Sequence, residues 1–198
     1  RGLVVVVVES QHGDLLDRFL NEAGVPTSPK WFEEFKSRVP RPEFFMNHLR
    51  HLITNCFGKH FSAVHMTWGA INELTTLSGY ERLWQRAGHP VLEYLLRAIA
   101  REEARHSFFY WSIARIKLAN SAFRQKLTSY IINRFWVPVG QDAKTLSETN
   151  YLIKTLFGGE KGLQFMDQQV NRRVRELPGL ATMERIKDRI AQTALTVQ

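Results

Sequence analysis

Cysteine is nearly absent from this sequence. Its 198 residues include one, Cys56, which excludes an internal disulfide and any zinc or iron–sulfur centre built from the chain's own thiolates. Long apolar runs are absent too. The longest is Leu3–Val8, whereas a helix needs about 20 apolar residues to cross a bilayer. No basic segment followed by an apolar stretch and a cleavage site opens the chain, so secretion has no support. Acidic residues are few: 19 Asp+Glu against 27 Lys+Arg leave a net charge of +8. The basic residues are spread along the chain, densest at Arg97–Arg105 and Arg172–Arg175. A basic tail and zinc-finger spacing are both missing, which disfavours nucleic acid. The positive charge reads first as a solvated surface and second as a docking face for an acidic protein. Internal repeats, low-complexity segments and strand-turn-strand patterns are also lacking.

What is present is helical periodicity. With 44% hydrophobic and 23% charged residues, the chain has the length and composition of one globular domain, residues 1–198, with a sizeable core. Leu3 to about Ala23 reads as a helix, although the five valines Val4–Val8 also fit a buried strand. Gly24 and Pro26 stop it. Ser28-Pro29 opens a short helix with a cap and a proline at its first position, and Pro40 and Pro42 break it. Glu43 to about Phe57 is a further helix; residues 28–57 thus form a helical insert. Lys59–Ala87 and Val91–Ala119 are two long helices separated by Gly88-His89-Pro90. Ala122–Trp136, Lys144–Phe157, Glu160–Leu177 and Met183–Ala194 complete the series. The expected class is all-α.

Two Glu-x-x-His pairs carry the chemistry: Glu9-Ser-Gln-His12 and Glu103-Ala-Arg-His106. Residues three apart share a helix face, so each pair can offer a carboxylate oxygen and an imidazole nitrogen in one direction. Glu103 and His106 continue the apolar stripe Leu92, Leu96, Ile99, Tyr110 and Ile113. Glu9 and His12 continue Val5, Leu16 and Phe19. A buried carboxylate needs a partner or a metal. Glu73 is the third element, on the face of Met66, Ala70, Leu77 and Tyr80. Fifteen residues separate Glu73 from Gly88 and thirteen separate Pro90 from Glu103. At ~1.5 Å per residue, an antiparallel hairpin brings Glu73 and Glu103 to within roughly 3 Å of the same height. Dinuclear carboxylate sites in ferritin-like bundles use one Glu from each of two helices and a Glu-x-x-His from each of the other two. Both pairs and one single Glu are present. Carboxylates with imidazoles suit two iron ions, or manganese.

The order of these elements resembles the soluble acyl-[acyl-carrier-protein] desaturases, a family of the ferritin-like di-iron superfamily. Glu9-Ser-Gln-His12-Gly13-Asp14-Leu15-Leu16 resembles the family's first Glu-x-x-His helix. Glu73 with Thr76 resembles the single Glu and its following hydroxyl. Ile99-Ala-Arg-Glu102-Glu103-Ala-Arg-His106 resembles the second Glu-x-x-His helix. Gln168 to Ala191, with Leu177-Pro178 and a basic helix after it, is similar to the C-terminal region.

The resemblance implies a ferritin-like helical bundle with peripheral helices. It implies that Glu9 and Glu103 bridge or chelate metal, that His12 and His106 each bind one iron, and that Glu73 is a terminal ligand. Thr76 would sit beside the oxygen-binding face, and Glu102 would orient His12 through its other ring nitrogen. It further implies an O2-dependent desaturase acting on a fatty acyl chain carried by acyl carrier protein. A ferredoxin-type donor would supply electrons, the protein would be a homodimer, and it would work in the cytoplasm or a plastid stroma. Other di-iron oxidases, or an inactive desaturase-like binding subunit, are the alternatives. The pattern departs where the family has Asp at the Glu102 position and a Trp-rich approach to Glu9 in place of Val4–Val8, and a third departure matters more. The family's first ligand Glu precedes the first Glu-x-x-His on its own helix; here eight residues precede Glu9 and none is acidic. The expectation is that an upstream helix or another chain supplies that carboxylate and covers a groove along Val5, Leu16, Ile99 and Ile113, or that Glu33, Glu34 or Glu43 is recruited. His48, His51, His60, His65 and His89 read as ordinary histidines. Met66 and Trp68 read as core rather than channel lining, and Phe108–Trp111 as packing.

Overall fold

The computed structural model describes residues 2–30, 33, 41–138 and 146–195; side chains at 2–10, 41–57, 59, 146 and 195 lie outside the description. The expected all-α class is correct: the described residues form a helical bundle containing no strand. Helix α1 spans Gly2–Glu22, so the valine run is helical. Helix α2 spans Arg41–Trp84, interrupted at Gly58 (φ 52°, ψ −131°), where the sequence reading divided it. Most of the expected helix after Ser28-Pro29 lies outside the described residues. Helix α3 spans Pro90–Ala119. Gly88 adopts φ 60°, a left-handed conformation that glycine reaches at little cost, and Pro90 begins α3 where its missing N–H has no helical role. Between them the chain reverses, and α2 and α3 pack as an antiparallel hairpin, the most extensive helix pair in the molecule.

Helix α4 (Ala122–Phe135) starts at Ser121, whose hydroxyl accepts the Arg124 N–H, satisfying one of the free donors of the first turn. Helices α5 (Leu146–Phe157) and α6 (Gly159–Met166) follow. Then α6 passes into a π-helical turn (Asp167–Asn171) and α7 (Arg172–Arg175). The sequence reading took 160–177 as one uniform helix. The π turn is held from within and from outside: the Asp167 carboxylate accepts from Asn171, in the turn, at 3.2 Å and from Arg175, beyond it, at 3.0 Å, and Arg175 also pairs with Glu184. Helix α8 is Arg185–Leu195.

The main apolar core joins the α2–α3 hairpin to α4–α8, through Ile71, Leu74, Leu118, Ile132, Trp136, Met166, Leu180 and Ile186. Met66 and Trp68 pack against it, as core residues. Polar ties fix the layers. The Trp136 indole donates to Asn72 at 3.2 Å and Trp111 to the Arg173 carbonyl at 2.8 Å. Arg82 and Arg86 donate to the Leu156 and Thr155 carbonyls, placing cations where the α5 helix dipole is negative. Among the described residues none of this core comes from α1, which lies against α3. Among the described residues, no helix is long and apolar enough to cross a membrane.

Candidate metal centre

The hairpin arms meet as the residue count requires. Glu73 of α2 and Glu103 and His106 of α3 offer ligand atoms that all lie within 4.8 Å of one another. The His106 Nδ1 stands 3.5 Å from Glu103 Oε2 and 3.8 Å from Glu73 Oε2. From the other side, α1 delivers His12, whose Nδ1 is 3.3 Å from Glu103 Oε1. The Glu103 carboxylate therefore lies between two imidazoles, one oxygen toward each. It is 0% exposed, and His12 is 4% exposed.

Glu102, the neighbour on α3, takes the other nitrogen of His12: Nε2 to Oε2 is 2.9 Å. A carboxylate accepts only, so Nε2 donates a hydrogen to Glu102, and Nδ1 faces Glu103. The edge of the His12 ring meets Tyr80, with ring centroids 6.4 Å apart at 81°. The Tyr80 ring was visible in the sequence only as part of the Glu73 stripe; its contact with His12 depends on where α1 docks.

Burial by itself would push the Glu103 carboxyl up. Polar contacts with His12 and Glu73, together with positive charge on His12 and His106, outweigh it and hold the group below the usual carboxylate range. Glu103 thus favours its charged form in a place that water does not reach. Among the described residues neither of its oxygens accepts a well-formed hydrogen bond, and 3.3 and 3.5 Å exceed the ~2.7–2.9 Å of a charge-assisted one. Two ligand atoms held at about 2.1 Å from one ion, at right angles, sit roughly 3 Å apart. The observed separations are close to that edge. Glu73, Glu103 and His106 are thus near enough to one another to hold a cation, and His12 stands at the other oxygen of Glu103.

The remaining sequence candidates fall around this cluster or outside the described residues. Thr76 is half-buried, one turn after Glu73. Glu9 lies on α1, three residues before His12, and its side chain is outside the described residues, as are Glu34, the side chain of Glu43 and the side chain of Val5. Glu33 is exposed. The expected groove is partly closed: Ile99 is buried, and Leu16 and Ile113 are half-buried. Large apolar side chains are exposed elsewhere on α3, at Phe108, Phe109 and Ile116. His60 lies 3.5 Å from the Arg124 guanidinium, and His89 stacks edge-on with Phe19; neither approaches the cluster's role.

Beside the cluster, a cavity of about 180 Å³ opens between α2, α3 and the π turn. Leu74, Ala104 and Ser107 line it, each one residue after a cluster residue. Leu77, Phe108 and Trp111 supply an apolar wall, and Glu81, Gln169 and Arg173 its polar margin. Burial pushes the Glu81 carboxyl up. No family model, no curated protein and no solved structure matches this chain.

Proposed function

We propose that this chain is a di-iron carboxylate protein of the acyl-carrier-protein desaturase type, using O2 and external electrons to introduce a double bond into a carrier-bound fatty acyl chain. The observation that carries the proposal is the division of one buried carboxylate, Glu103, between two imidazoles on different helices. Iron held there would supply activation of O2 toward an unreactive C–H bond.

The chain's own residues set the conditions. Glu103 brings a negative charge shared by both positions. Glu73 adds a second on the His106 side. Glu102 orients the His12 ring so that Nδ1 is aimed at Glu103. Thr76, one turn after Glu73, offers a hydroxyl that can pass a proton on the α2 side. Leu74, Leu77, Phe108 and Trp111 give the adjoining cavity an apolar wall. Two hydrogens leave the acyl chain; with two electrons from the donor and two protons from solvent, O2 becomes two waters. The net charge of +8 favours an acidic carrier and an acidic ferredoxin-type donor.

A second reading is favoured by the cavity. At about 180 Å³ it falls below the ~300–1,000 Å³ of common ligand pockets, which suits a ferritin-like di-iron oxidase with a small substrate. One experiment separates the two. The protein is loaded with iron without air, then given O2, an acyl-carrier substrate and a ferredoxin-type donor. About two irons per chain and an unsaturated product are expected. Iron uptake and O2 consumption with the acyl chain unchanged supports the oxidase. No iron uptake sinks both and leaves a binding or structural role.

A further inference from the structure

The two cation positions differ in what builds them. Among the described residues, one is made by the α2–α3 hairpin, from Glu73, Glu103 and His106. Residues of that hairpin, Ile71, Leu74, Ala114 and Leu118 among them, belong to the main apolar core, so these ligands are held in place by packing. The other position takes Glu103 Oε1 from the hairpin but His12 from α1.

Helix α1 is attached in another way. Between residues 11 and 22, His12 alone is buried. Leu15 and Leu20 are 45% and 37% exposed, and Phe19 is half-buried against His89. The described contacts of α1 with α3 are thus chiefly polar: His12 to Glu102 and His12 to Glu103. Apolar burial of a large side chain contributes about 1.5–3 kcal/mol, and this part of α1 has no fully buried one. Among the described contacts of residues 11–22, those of His12 with Glu102 and Glu103 involve the groups a cation would use.

We propose that cation loading is ordered, the hairpin position filling first and the second ion then fastening α1 to the bundle through His12. This rests on the dinuclear reading of the cluster and adds the sequence of events and the moving part. Ion binding at the hairpin leaves α1 as it was, because none of its three ligands is on α1. Ion binding at the second position links α1 to α3 through His12 and Glu103, so affinity there and docking of α1 rise together.

The test uses the full chain, stripped of metal and titrated with cobalt(II) in the absence of air. Binding is followed by the cobalt absorption bands, and hydrogen exchange of residues 2–22 is measured at each equivalent. The first equivalent is expected to leave α1 exchange unchanged, and the second to bind at least about tenfold more weakly and slow α1 exchange by about tenfold or more. His12→Ala should keep the first equivalent within about threefold and lose both the second and the protection. His106→Ala should lose the tight equivalent. Protection of α1 by the first equivalent, or a loss of the first in His12→Ala, overturns the order while leaving the metal reading intact. Binding of no cobalt by the unaltered chain overturns both.

Discussion

Replacing Gly69 by alanine asks whether the spacing of the α2–α3 hairpin sets the metal centre. Gly69 lies one turn before Glu73 on α2, and Tyr110 one turn after His106 on α3. A Cβ added at Gly69 would stand 2.6 and 2.7 Å from Tyr110 Cδ1 and Cε1, and 3.0 Å from Cγ. Carbon atoms in ordinary contact sit ~3.5–4.0 Å apart, so ring or helix must withdraw by roughly 1 Å. Because Cγ is also close, rotation of the ring alone does not clear the methyl. Overpacking of this kind costs about 1–3 kcal/mol, and alanine's better helix propensity returns about 1 kcal/mol. The net expectation is a destabilisation of about 0–2 kcal/mol. The effect on the site should be larger in proportion. The Glu73 Oε2–His106 Nδ1 distance is 3.8 Å, and opening the hairpin by roughly 1 Å takes it well beyond the roughly 3 Å edge of two ligands on one ion. Affinity for the first cobalt(II) equivalent should fall by about 10–100-fold, the range seen when the support of a ligand is disturbed. Urea unfolding and cobalt titration on the same sample separate the two effects. Unchanged affinity and an unchanged unfolding midpoint would refute the argument that this contact spaces the ligands.

Glu102→Ala removes the partner of His12 Nε2; the second metal equivalent should weaken by about 10–100-fold with helix content intact, as read by chelator competition and circular dichroism. Trp136 is 0% exposed in the main core, so Trp136→Ala should cost about 3–5 kcal/mol in urea unfolding, part of it from leaving Asn72 without its indole donor. Asp167 gives a pH test. Burial would raise its carboxyl, but the Asn171 bond and the charges of Arg175 and Lys187 outweigh it and hold it below its ordinary 3.8. A depressed carboxylate stabilises the fold fully above its unfolded value, and that contribution is lost as pH falls through the folded one. Asp167→Asn should therefore unfold at lower urea than the parent at pH 6, with the gap closing as pH drops below about 4. A gap that does not narrow as pH falls from 6 through the ordinary value of 3.8 and below would show that the Asp167 charge is not its source.

Much of the molecule follows from local sequence alone. Gly88-His89-Pro90 ends one helix and starts another, because a left-handed glycine and a proline at the first helical turn act within a few residues. The matched height of Glu73 and Glu103 follows from counting at a fixed rise per residue, and the Glu-x-x-His spacing puts Glu103 and His106 on one face. The break at Gly58 was likewise placed by reading a helix on either side of it. Other features belong to the tertiary structure. The π turn at Asp167–Asn171 looks like ordinary helix in sequence; Arg175 and Glu184 reach it from further along the chain. The apolar stripes located the buried faces but not the main core, which lies between the hairpin and α4–α8 and leaves α1 out. That one Glu103 oxygen faces His12 while the other faces His106 depends on how α1 crosses α3. Helix periodicity is set by bonds four residues apart. A crossing angle is set by contacts between residues some ninety apart, and those exist only once the bundle has closed.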